Sequence, residues 1–246
     1  MSLAIIGGTG LGELANLLKN SQREDIKTPY GVAPVVVGEW GKRTVIFLSR
    51  HGLDHTIPPH KINYHANIWA LKDMGVDNIF ASSAVGSLKG EIKPGDFVLV
   101  DQFIDFTKGR RGTFFDSTTE KVHYTDVTEP YNARLRTLLA QAAGEKAVRL
   151  HHSGVYVCTE GPRFETPAEI VAFQKLGGDV VGMTGVPEVV LANELEISYA
   201  SLAVATNYAA GIAGKRLTFE ECLEEMKKWN RVLFDVFMRA ADVGRL

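Results

Sequence analysis

Cysteine is scarce: Cys158 and Cys222 are the only two in 246 residues. They lie far apart, and neither belongs to a CxxC pair or a metal-spaced cluster. That excludes a thiolate-built metal centre and makes a reduced, cytoplasmic setting the expectation. Basic charge is not in surplus either. The formal net charge is -2, which leaves nothing to hold a nucleic-acid backbone. No apolar run approaches a membrane span and the N-terminus lacks the basic start of a secretion signal, so neither membrane nor export is expected. Linkers, internal repeats and low-complexity stretches are missing too. With 45% hydrophobic and 23% charged residues, the chain reads as one globular domain over residues 1–246 with a substantial core.

A complete dinucleotide fingerprint is also lacking. "LAIIGGTGLGEL", residues 3–14, reads as a buried strand running into a glycine turn. Gly8, Thr9 and Gly10 supply the first half of G-x-G-x-x-G, but Glu13 stands where the third glycine belongs. A start at Gly10 reaches only the relaxed form, with Gly12 and Ala15. By itself the stretch is either a plain tight turn or an anion site built from backbone N–H groups. A dinucleotide site ranks below both.

Short apolar runs are what the chain does have. Residues 4–6, 35–37, 45–48, 79–81, 97–100, 155–158, 180–181 and 199–205 read as strands, several of them apolar on both faces. Continuous runs of this kind suit a sheet covered on both sides, hence an α/β fold. Helices are expected over 61–74, 132–143, 167–176, 187–195 and 219–241. Thr166 to Glu169 and Thr218 to Glu221 read as capping boxes at two of their starts. The polar stretch 107–128 lacks periodicity, and a loop of that length in a compact domain is expected to serve function or assembly.

Polar residues gather where strands end, the place an α/β protein puts its ligands. "SRHG" follows one strand; Arg50 can fork onto an oxyanion and His51 can add a donor, or both are ordinary solvated and packed residues. "SSAVGS", residues 82–87, reads as a turn after another strand. "CTEGPRFET" ends a strand with Gly-Pro and sets Phe164 and Glu165 before a capped helix. A planar ligand can stack on Phe164 while Glu165 accepts a ring N–H; the alternative is a core Phe and a Glu held by the helix dipole. Thr184 and Asn207 each end an apolar strand, and a buried Asn is costly unless its amide is paired.

"GGTG", "RHG", "KINYHANIWALKDMG", "SAVGSL", "DQFIDFT", "TEGPRFET", "GMTGVPE" and "ATN" occur in one order along nearly the whole chain. In this the sequence resembles the purine nucleoside phosphorylase superfamily, in particular its 5'-methylthioadenosine and methylthioinosine phosphorylase branch. The resemblance implies a single-domain α/β fold around a mixed, partly barrel-like sheet, and a homotrimer. It implies inorganic phosphate as cosubstrate, with no metal and no nucleotide cofactor. Thr9, Arg50, His51 and Thr184 match the phosphate-binding positions, the backbone around Ala84 completes the cradle, and Ser83 lies where phosphate and sugar are both touched. Met183 matches the residue under the ribose; Phe164, Glu165 and Asn207 match the purine pocket. Asn207 and His51 are the expected catalytic pair. Gly185 departs from the pattern, since many members carry a hydroxyl residue there.

Two further departures bear on the substrate. Members that cleave methylthioadenosine carry "Asp-x-Asp" where this chain has Asn207 and Ala209, and a hydroxyl residue where it has Glu165. A 6-oxopurine offers an N1–H donor and an O6 acceptor, which suit a carboxylate and an amide; a 6-aminopurine offers the reverse. Mispairing buried polar groups in this way can cost roughly 10⁴-fold in discrimination. Relatives acting on ordinary nucleosides place a His near the 5'-hydroxyl, where this chain has Phe219 and, one turn on, Cys222. That apolar pair suits a methylthio group. In the branch a neighbouring subunit adds a His, and Tyr124 stands at the matching position beside His123. The expectation is S-methyl-5'-thioinosine phosphorolysis. The alternatives are methylthioadenosine phosphorylase, inosine/guanosine phosphorylase, or a catalytically silent nucleoside-binding sensor.

Overall fold

The computed structural model describes residues 2–8, 12–52, 55–117, 121–214 and 216–246. Its strands are β1 (Ser2–Gly7), β2 (Lys19–Thr28), β3 (Gly31–Trp40), β4 (Arg43–Ser49), β5 (Val76–Ser87), β6 (Phe97–Leu99), β7 (Gln102–Phe106), β8 (Leu150–His151), β9 (Val155–Thr159), β10 (Val180–Gly182) and β11 (Ser198–Tyr208). The helices are α1 (Tyr64–Asp73), α2 (Ala133–Gly144), α3 (Pro167–Lys175), α4 (Gly185–Glu194) and α5 (Phe219–Gly244). One mixed sheet runs β2-β3-β4-β1-β5-β10-β9-β7 and divides at β5, where β11 pairs as well and leads on to β6 and β8.

The alternation of side chains along the central strands assigns the two layers. Ala4 and Ile6 of β1 and Ile79 of β5 join a core with Ile68 and Leu71 of α1 and Val189 of α4. Leu3, Ile5 and Phe80 point the other way, into a core with Leu135 of α2 and Phe234 and Phe237 of α5. A period of two on a strand buried on both faces gives this division directly. Phe80 stacks on Phe237 with ring centroids 5.5 Å apart, and burying such a side chain is worth about 1.5–3 kcal/mol.

Three local differences from the sequence reading have plain causes. The helix expected from residue 61 starts at Tyr64, because the Asn63 side chain accepts the Ala66 N–H as its N-cap. Residues 82–87 are no turn: β5 continues through them, paired with β11 from Asn78 to Ser87 and with β10 at Gly86 and Ser87. The polar strand β2, largely exposed, is held by antiparallel pairing with β3 and carries no periodic apolar signal. Thr166 forms the expected capping box with Glu169, and Thr218 accepts the Glu221 N–H at the start of α5. Among the described residues no helix is long and apolar enough to cross a membrane.

The division at β5 positions the site. The ends of β4, β5, β9, β10 and β11 converge there, and the side chains that follow or end those strands face one another across the gap.

Candidate active site

A cavity of about 370 Å³ lies at this convergence, within the range of small-molecule sites. Of the positions matched to phosphate binding, His51, Ser83, Ala84 and Thr184 line it. Phe164, Glu165 and Asn207 of the expected purine pocket line it too, as do Met183, Phe219 and Cys222 of the expected sugar end. Thr9 lies outside the described residues; its neighbour Gly8 borders the cavity. Tyr124 is 88% exposed and does not reach the cavity of its own chain.

Arg50 sits behind the wall rather than in it. Its Nε and one terminal nitrogen donate to the two Glu188 carboxylate oxygens at 2.6 and 2.7 Å, and its other terminal nitrogen donates to the Ser82 carbonyl at 2.6 Å. Both side chains of the ion pair are fully buried. Burial opposes the guanidinium charge, the Glu188 carboxylate more than offsets it, and the net direction is upward, so Arg50 stays cationic. Tyr199 adds a hydroxyl donor to Glu188 at 2.7 Å. A guanidinium has five N–H donors, so this network leaves part of Arg50 uncommitted, and one terminal nitrogen packs against Gly8.

His51 immediately follows. Its Nδ1 lies 2.8 Å from the Ile57 carbonyl. Burial, with smaller contributions from neighbouring His55 and Arg50, holds its pKa down at about 4, against an ordinary 6.5. The imidazole is therefore neutral at pH 7.

At the purine end, the buried Glu165 accepts a hydrogen bond from the Thr159 hydroxyl at 2.6 Å. Burial pushes its carboxyl above the ordinary range, and the Thr159 bond pulls the other way. The Asn207 amide donates to the Tyr208 carbonyl at 2.9 Å, while its oxygen accepts from Thr206 Oγ1 at 2.9 Å and Cys222 Sγ at 3.2 Å. Both donors have a second acceptor in reach: Val85 O for Thr206 and Thr218 O for Cys222. The Asn207 oxygen can thus be freed for a ligand without stranding either donor.

The sugar end depends on close backbone approach. Gly161 adopts φ +65°, and a Cβ there would come within 2.6 Å of Met183 Sδ, so glycine alone lets the Gly-Pro turn pack on Met183. Gly185, the departure noted in the sequence, faces Tyr156: a Cβ would meet its ring at 3.1 Å. The same tyrosine hydroxyl accepts the Thr184 N–H at 3.2 Å.

Sequence reasoning missed four residues that build the site. Glu188 was readable as an acid inside the apolar run "VPEVVLA". Thr206 sits beside Asn207 and lines the cavity. His55, four residues after His51, also lines it; its ring lies 4.4 Å from that of His51 and stacks at 5.5 Å on Phe219. Arg110, in the polar stretch 107–128, buries its guanidinium and donates to the carbonyls of Thr159, Glu160, Met183 and Val186. It ties that loop to the ends of β9 and β10 and thereby fixes where Met183 stands. No sequence signal singles out Arg110 from Arg111. Among the described residues no group of three or more His, Cys, Asp or Glu is placed to hold a metal.

The sequence profile of the phosphorylase superfamily matches residues 2–241. A 6-oxopurine nucleoside phosphorylase of Pyrococcus furiosus is 51% identical over 243 residues, covering 97% of this chain and 91% of that protein. A probable S-methyl-5'-thioinosine phosphorylase of Methanothermobacter thermautotrophicus is 50% identical over 235 residues, 95% of this chain and 81% of the relative. Among solved structures, a methylthioadenosine phosphorylase from Schistosoma mansoni in complex with adenine superposes with a TM-score of 0.92 at 35% identity, covering 100% of this chain and 92% of the other. The chain belongs to the phosphorylase superfamily.

Proposed function

We propose that this protein cleaves purine nucleosides by phosphorolysis, releasing free 6-oxopurine and a pentose 1-phosphate, with S-methyl-5'-thioinosine as the preferred substrate. The carrying observation is that a buried carboxylate, Glu165, and a strand-end amide, Asn207, share one cavity. That pairing matches the N1–H donor and O6 acceptor of a 6-oxopurine.

Cleavage of the N-glycosidic bond builds positive charge on the sugar and negative charge on the base. As that charge develops, N7 of the departing purine takes up a proton from solvent and the Asn207 oxygen accepts a hydrogen bond from the resulting N7–H, a bond that strengthens as the base leaves. An oxygen of inorganic phosphate attacks C1' from the opposite face, and the electron pair of the broken C–N bond goes to the purine. His51, Ser83, Ala84, Thr184 and the glycine turn at Thr9 hold that phosphate, with the Arg50 charge behind them. Positioning supplies a large share of the rate, and no side-chain nucleophile is used. Phosphate is a cosubstrate; no metal and no nucleotide cofactor takes part.

Phe219 and Cys222 beside the cavity favour a methylthio group at C5'. One observation favours the second reading, an inosine/guanosine phosphorylase: His55 lies against Phe219 and offers a ring nitrogen to a 5'-hydroxyl. Tyr124 serves the 5' end in a homotrimer, where a neighbouring copy brings it there. The exposed Phe115 and Val122 near it provide apolar surface for such a contact. The two free cysteines fit a reducing cytoplasm.

The test is a set of four nucleosides, 6-oxo and 6-amino, each with a 5'-hydroxyl or a 5'-methylthio group, with free base measured. Methylthioinosine ranks first in kcat/KM on this reading. A higher value for methylthioadenosine removes the base assignment, and a large preference for inosine reverses the 5' assignment.

A further inference from the structure

The hydrogen-bond direction at His51 constrains the anion. A carbonyl oxygen only accepts, so the 2.8 Å contact with Ile57 places the ring hydrogen on Nδ1. In a neutral imidazole the other nitrogen, Nε2, then carries a lone pair. His51 is 7% exposed and lines the cavity, and Nε2 has no hydrogen-bond partner among the described residues. Among the described residues its ionisable neighbours are Arg50 and His55, both of which oppose a positive charge on the ring; burial opposes it most, and the Ile57 carbonyl favours it less strongly. The wall of the site matched to phosphate thus presents an acceptor where a second donor was expected.

We propose that His51 binds the anion by accepting a hydrogen bond, so that the site selects an oxyanion carrying its own proton over charge-matched anions that carry none. This rests on the reading of phosphate as cosubstrate. Hydrogen phosphate, the dianion that dominates at pH 8, has one P–OH to donate to Nε2. Sulfate and monofluorophosphate carry the same charge but no hydrogen, and each would set an oxygen or fluorine lone pair against that of Nε2. A site built around one ligand hydrogen rejects analogues that lack it, because the buried partner is left unpaired. His51 is accordingly a specificity-determining residue for the anion as well as a binding residue.

Isothermal calorimetry at pH 8 with phosphate, arsenate, sulfate and monofluorophosphate tests this on the unmodified protein. Phosphate and arsenate should bind at least about 10-fold more tightly than the two proton-free dianions. In His51→Gln, whose side-chain amide can donate, that gap should close to within about 3-fold. Equal binding of all four by the wild-type protein overturns the inference while leaving phosphorolysis intact. A gap that persists unchanged in His51→Gln overturns the assignment to His51. Failure of phosphate itself to bind overturns both this inference and the functional reading it rests on.

Discussion

Arg50 and Glu188 form a two-pronged ion pair, Nε to Oε2 at 2.6 Å and a terminal nitrogen to Oε1 at 2.7 Å, with neither side chain exposed to solvent. The pair stands directly behind the wall of the cavity, so the Arg50 cation at the expected phosphate end is held in place by an acid 138 residues away. Glu188→Gln leaves the Arg50 charge buried without its counter-charge. Removing one partner of a buried pair costs about 3–5 kcal/mol, measurable as a lowered urea midpoint, and KM for phosphate should rise more than KM for the nucleoside. A variant as stable as the wild type would show that the pair contributes little.

Tyr199→Phe removes only the hydroxyl donor to Glu188. The expected loss is about 1.5–3 kcal/mol, the range for a hydrogen bond to a charged group, with little change in kcat, since the ion pair itself survives. Denaturant unfolding and steady-state kinetics on one preparation separate the two effects.

Glu165→Ala should abolish most activity on 6-oxopurine nucleosides, lowering kcat/KM by about 10² or more. The 6-aminopurine nucleosides, which have no N1–H, should lose far less. Unchanged turnover of inosine-type substrates would remove the base-recognition argument.

Asn207→Ala should lower kcat more than it raises KM, because the bond to N7 strengthens as the base departs. An effect confined to KM would make Asn207 a binding residue only. Cys222→Ser offers a milder comparison, since Cys222 is one of two donors to the Asn207 oxygen.

Stability should depend on pH through His51. Its folded pKa is about 4, below the ordinary 6.5. From pH 6.5 down to 4 the unfolded chain takes up a proton that the folded chain refuses, so folding stability falls as the pH falls. The full effect is about 3 kcal/mol at 1.36 kcal/mol per unit. His51→Gln lacks this contribution, so the wild-type advantage over the variant in urea unfolding should shrink between pH 7 and pH 4.5. An advantage that does not move would contradict a depressed His51.

Much of this arrangement was legible in the sequence, and the reasons differ from element to element. Strands such as β1 and β4 announce themselves because their central residues are apolar and buried on both faces. The polar β2 does not, because its stability comes from backbone pairing with β3 rather than from side chains. Glu165 and Asn207 stood out as polar residues at ends of apolar segments, and both line the cavity. Arg50 stood out equally, yet the sequence gives no hint that its guanidinium faces Glu188, since that pairing joins β4 to α4 through the fold. Arg110 was hidden for the same reason: most of its partners are main-chain carbonyls, which have no sequence signature, and others, such as Glu160 and Tyr64, meet it only through the fold.

The most direct test of the central claim follows the products of methylthioinosine cleavage with and without inorganic phosphate, reading free hypoxanthine by absorbance and the sugar by phosphorus NMR. The account predicts that hypoxanthine and a pentose 1-phosphate appear together in equal amounts, and that neither forms when phosphate is withheld. Base release at the same rate in phosphate-free buffer, with no sugar phosphate formed, would contradict it.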